Sequence, residues 1–166
     1  MKTPDSSAAK VELTVPLLAE YVGIARLTAA GVANRAGFDI EAIEDIKVSL
    51  SEVCNRLIGI KGKCSRTHEV DCKIIFSITE KDLTIEFQME KCDEFGAYMT
   101  DGVKAHGNAG AVGDVKITFN DIVTDGDCHS DDFGDRLQLS LITLLMDEFK
   151  VNPDGRSLVS MKKFLA

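Results

Sequence analysis

The stretch FDIEAIEDIKVSLSEVCNRLIGIKG, residues 38 to 62, decides the fold. Ile43, Ile46, Leu50, Val53, Leu57 and Ile60 recur at alternating steps of three and four. That spacing draws one continuous apolar stripe and predicts a core-facing helix over 39–60. Glu41, Glu44, Asp45 and Lys47 lie off the stripe. Asp39 is placed to cap the orphan amides of the first turn, and Gly37 to end whatever precedes it. Phe38 and Ile43 stand at the N′ and N4 positions of a hydrophobic staple.

Working outward, VELTVP (11–16) alternates and predicts a short strand. From Leu17 to Ala36 apolar residues return at helical spacing: Leu17, Tyr21, Ile24, Leu27, Gly31. The near absence of a linker makes this helix and the next antiparallel neighbours. After a polar stretch (61–69), VDCKIIFSIT places Val70, Cys72, Ile74, Phe76 and Ile78 on one side of a strand, with Ile75 the exception to the alternation. Glu80-Lys81-Asp82 turns the chain, and LTIEFQME alternates again to close a hairpin. Residues 92–133 are rich in Gly and Asp and predict a long, lid-like connection, with VKITF (115–119) its one strand-like island. RLQLSLITLLM (136–146) is apolar nearly all round and predicts a buried helix. FKV, the turn Asn152-Pro153-Asp154-Gly155, and RSLVSMKKFL predict a closing hairpin.

The order β-αα-ββ-lid-α-ββ predicts an α+β, two-layer sandwich: a mixed, mostly antiparallel sheet with helices on one face. Residues 1–10 are polar and expected to fray; 11–166 make one domain.

The formal net charge is −8. Direct nucleic-acid binding needs a cationic face to displace counterions, and such a chain argues against it. The five cysteines, Cys54, Cys64, Cys72, Cys92 and Cys128, are odd in number and include no CxxC pair, which suits reduced thiols in a reducing compartment. No apolar run approaches ~18 residues and no secretory leader opens the chain, so the expected location is the cytoplasm, with no membrane contact. His68 with Cys64, and His129 with Cys128, Asp131 and Asp132, fit no standard zinc spacing. His106 stands alone in a glycine-rich stretch, and no metal site is expected.

The element order, with EYVGIARLTAAGVANRAG (20–37), IEAIEDIKVSLSEVC (40–54) and LMDEFKV (145–151), resembles the anti-sigma-factor serine kinases of the RsbW and SpoIIAB type. These belong to the GHKL superfamily of ATPases (the Bergerat fold), alongside histidine-kinase ATPase domains. The resemblance covers residues 11–90 and 134–165. It implies Mg-ATP bound between sheet and helices under a lid, phosphorylation of a serine on an anti-anti-sigma (STAS-type) partner, sequestration of a sigma factor, and a homodimer.

Three motifs build the family's nucleotide site, and each can be read here. The first, E-x-x-x-N, pairs a general base with a Mg²⁺ ligand on one helical face. Glu52 matches the base, but Arg56 replaces the asparagine. Asn55 lies about 100° of helical rotation away and cannot easily stand in. A guanidinium has only donors, so Arg56 cannot ligate a cation. The second, D-x-G, holds adenine, and Met89-Glu90-Lys91 stands in its place. Met89 is a weak acceptor and Lys91 restores a side chain. Asp93-Glu94-Phe95-Gly96 is out of register. The third is a glycine-rich phosphate loop before the last helix. There the chain offers Gly134-Asp135-Arg136, and Asp135 adds negative charge. Gly107, Gly110 and Gly113 have no strand–helix context.

Departure at all three walls implies an anti-sigma-type regulator of a partner switch that acts by protein binding, with Glu52 a remnant base and no cofactor. Its partner-binding candidate is Arg26, which corresponds to a family contact arginine on the first helix. Two alternatives stay open. One is an active serine-protein kinase in which Arg56 supplies the positive charge that Mg²⁺ normally brings. The other is a small-molecule sensor using the former ATP cleft.

Overall fold

The computed structural model describes residues 9–63, 69–89, 115–122, 133–152 and 157–166. Strand β1 (Ala9–Pro16) leads through a 3-10 turn (Ala19–Tyr21) into helices α1 (Val22–Ala36) and α2 (Ile40–Lys63). Strands β2 (Asp71–Ile78) and β3 (Asp82–Met89) follow, then the two-residue β4 (Val115–Lys116) and a single turn, α3 (Phe119–Ile122). Helix α4 (Phe133–Leu145) and strands β5 (Glu148–Val151) and β6 (Ser157–Phe164) complete the order. The strand expected over 115–119 is thus cut short. Asp121 accepts hydrogen bonds from the Thr118 amide and hydroxyl at 2.7 and 2.6 Å, which caps a helical turn where the strand was to continue.

The six strands form one sheet in the order β1-β2-β3-β6-β5-β4, and every neighbouring pair is antiparallel. Alternation sorts the residues. Cys72, Ile74, Phe76, Leu83, Ile85, Phe87, Phe149, Val151, Val159 and Met161 are buried, while Lys73, Ser77, Thr84, Glu86, Lys150, Ser160 and Lys162 are not. One face therefore carries the helices and the other stays polar, the expected α+β two-layer architecture. Ile75 breaks the alternation and sits buried on the polar side, in register with Glu12 and Glu86. A register shift at Phe87/Gln88 lets both Leu158 and Val159 be buried on consecutive positions of β6.

Helix α2 forms for the reasons its sequence gives. Asp39 Oδ1 accepts the Ala42 amide proton at 2.8 Å, as an N-cap does. Gly37, at φ 94°, ends α1 in the left-handed region. Its amide donates to Asn34 and that of Phe38 to Ala33, the paired bonds of a Schellman motif. Ile46, Leu50, Val53, Leu57 and Ile60 are all buried. Each such side chain stabilises the fold by about 1.5–3 kcal/mol.

Two helices depart from their sequence reading. In α1 the buried residues are Ala25, Ala29, Val32 and Ala33, while Ile24 and Leu27 face solvent. Small residues at the contact bring α1 close to α2. Helix α4 is not buried all round: Leu139 and Ile142 are inside, Leu137 and Leu144 outside. It packs on α2 along one face only.

Candidate functional site

On α2, successive residues of the expected catalytic helix take different environments. Glu52 is half-buried, Asn55 is exposed, and Arg56 is 3% exposed. Helical geometry turns Asn55 outward wherever position 56 turns inward, so the two cannot exchange roles. Arg56 is not without an interaction partner. Ser49, seven residues or about two turns earlier in the same helix, is fully buried. Its hydroxyl has no hydrogen-bond partner among the described residues. Ser49 and Arg56 thus form a buried polar strip beside the apolar one, which the apolar periodicity did not reveal.

Met89 ends β3 opposite Cys72 and packs against the core. Lys91 lies outside the described residues, as do Asp93 to Gly96, the glycine-rich run 107–113, His68, His106 and His129. Gly134, Asp135 and Arg136, read from sequence as the loop before the last helix, lie inside the first turn of α4. Gly134 is exposed and Arg136 half-buried, its carbonyl accepting the Ser140 hydroxyl proton at 2.8 Å. Among the described residues no group of three or more His, Cys, Asp or Glu could hold a metal ion.

Helix α1 offers the larger surprise. Leu27 is 74% exposed, with Ile24 beside it and Gly23 and Gly31 one turn to either side. A Cβ built on either glycine meets nothing within 4 Å. Arg26 is half-buried at the edge of this face. Glycine in a helix interior is about 1 kcal/mol less favourable than alanine, so open space around two of them has no explanation in the packing of this chain alone. The spacing Gly-x-x-x-Leu-x-x-x-Gly was visible in the sequence and could have marked the face.

Cys54 on α2 and Cys72 on β2 are buried free thiols lining one narrow apolar crevice with Val15, Leu17 and Ala25. Burial pushes both up to about 12, and Cys54 adds to the effect on Cys72. At neutral pH they are unionised and poor nucleophiles. Among the described residues no helix is long and apolar enough to cross a membrane.

Residues 15–163 match the family model described as a histidine kinase-like ATPase domain. Serine-protein kinase RsbW of Bacillus pumilus is 31% identical over 164 residues, covering 93% of this chain and 85% of the relative. The protein of the same name from Oceanobacillus iheyensis is 31% identical over 164 residues, 94% and 87% of the two chains. That of Bacillus licheniformis is 33% identical over 156 residues, 93% and 85% of the two.

Proposed function

The chain belongs to the histidine kinase-like ATPase family and groups there with the RsbW serine-protein kinases, and from that membership we propose a regulator of a partner-switching system that acts by protein binding, its kinase chemistry lost. Arg56 carries the reading. A side chain with five donors and no acceptor stands where the family places a Mg²⁺ ligand, and it is built into the interior rather than turned to solvent. A cation fixed there opposes a divalent ion at contact range. Met89 in place of the adenine-binding carboxylate supports the same conclusion, as does Gly134-Asp135-Arg136 inside a helix rather than in a phosphate loop. Mg-ATP therefore does not fit the residues described, and no catalytic step is assigned to Glu52.

Binding would use α1. Its outer face presents Leu27 and Ile24 between two glycines, flanked by Arg26, and suits a sigma factor or an anti-anti-sigma protein as occupant. The names of the relatives favour a second reading, a retained serine-protein kinase with rewired nucleotide contacts.

A thermal-shift titration separates the two. A ligand that binds only the native state at 100 times its Kd stabilises it by ~2.7 kcal/mol. The proposal expects no midpoint change with ATP or ADP, with or without Mg²⁺. A saturable Mg-ATP shift, accompanied by phosphate transfer to a STAS-type substrate, would establish the kinase reading instead.

A further inference from the structure

At the far end of α2 from Arg56, the α1–α2 turn and the end of β6 enclose a groove of about 440 Å³. Its floor is apolar: Phe38, Ala42 and Leu165. Its rim is acidic: Asp39, Glu41 and Asp45. Lys163 is the one cation of the lining, and it is already held by Asp45 at 3.0 Å and by the Leu145 carbonyl. One Asp39 oxygen is used by the Ala42 amide. The other Asp39 oxygen and the exposed Glu41 carboxylate have no cation of the lining to face, so the groove keeps an excess of negative charge. Phe164, 47% exposed, belongs to the lining, and Ile40, 81% exposed, stands just outside it. Fourteen residues of helix separate Ala42 from Arg56, roughly 21 Å, so this groove is not part of the family's nucleotide site.

We propose that this groove docks a basic amphipathic segment of a partner protein. An aliphatic side chain of that segment enters the Phe38–Leu165 floor, and lysines or arginines on either side meet Asp39 and Glu41. Phe164 at the groove and Ile40 beyond it enlarge the apolar contact, which a small cation would leave uncovered. The net charge of −8 draws a cationic partner toward the whole molecule, and the rim decides where it lands.

The probe is a fluorescein-labelled twelve-residue peptide of alternating Lys-Lys and Leu-Leu pairs, with a Glu-for-Lys counterpart, read by anisotropy against the full chain. The lysine peptide is expected to bind saturably and the glutamate peptide not to bind. Glu41→Lys should raise Kd by about fivefold, and Glu41→Gln by about twofold. Glu69→Lys, which changes net charge equally at an exposed position before β2, at the opposite end of that strand from the groove, should leave Kd within about twofold. Amide shifts on adding the peptide should centre on residues 37–45 and 163–166. Equal weakening by Glu41→Lys and Glu69→Lys would show attraction by net charge alone and overturn the proposal. So would shifts centred elsewhere, or self-association that Glu41→Lys abolishes, which would give the groove to a second copy. Nucleotide titrations do not enter, so this proposal and the loss of kinase chemistry fail separately.

Discussion

Gly31→Ala should make the protein more stable and a worse binder. Gly31 lies in the interior of α1, and among the described residues only Gly37 has a positive φ, so alanine fits the backbone at 31 without strain. The new methyl meets nothing within 4 Å, so neither clash nor packing enters. What remains is the propensity difference, about 0.8–1 kcal/mol in favour of alanine. In a chain of this size that raises Tm by ~2–4 °C. The urea midpoint should rise with an unchanged m value. Gly37→Ala is the control, because a left-handed φ of 94° costs a Cβ about 1–2 kcal/mol and should lower the midpoint. Binding of a sigma factor or STAS-type protein, followed by titration calorimetry, should weaken for Gly31→Ala if a partner's backbone approaches there. A variant that is neutral or less stable would refute the reading of open space around the helix. Higher stability with unchanged affinity would refute the reading of α1 as the partner face.

Leu27→Glu tests the same face more severely: stability should stay within about 0.5 kcal/mol, since the side chain is exposed, while partner binding is lost in a pull-down with purified proteins. Asp39→Ala removes the α2 cap and should destabilise by about 1 kcal/mol in urea unfolding. The buried thiols predict an alkaline limit. Their folded values are raised to about 12 from about 9, so the unfolded chain loses these protons first and stability falls as pH climbs through that window. Comparing wild type with Cys72→Ser between about pH 9.5 and 10.5, the difference in unfolding free energy should shrink by up to ~1.4 kcal/mol per pH unit. In the native protein at pH 8, iodoacetamide should leave Cys54 and Cys72 unmodified until urea is added, as peptide mass mapping would show.

What the sequence made legible was local. The α2 cap and its stripe lie within 25 residues of one another, and each β-hairpin declares itself by alternation and a turn. The β3–β6 pairing joins strands 69 or more residues apart and has no such signature; it had to come from family likeness or from structure. Periodicity also has a built-in blind spot, and α1 and α4 both fell into it. A helical repeat of apolar residues identifies a face without saying that the face turns inward. In α1 the alanines are packed and the larger Ile24 and Leu27 are left out, because close helix–helix approach favours small side chains. In α4, leucines on every side gave no face at all, and packing against α2 chose one.

Arg56 illustrates the complementary limit. Its sequence position raised doubt about a metal through its chemistry alone, but sequence could not say where the charge would sit, since arginines are mostly exposed by default. Its burial supports the proposed loss of kinase chemistry, because an interior arginine does not simply swing aside for Mg²⁺. A guanidinium taken out of water needs compensating contacts, and Arg56 is not without an interaction partner. On the proposed reading, placing a Mg²⁺ ligand at this position would mean rebuilding part of the interior rather than exchanging one surface residue. That is why Arg56, and not the conspicuous Glu52 one turn earlier, carries the proposed loss of kinase chemistry.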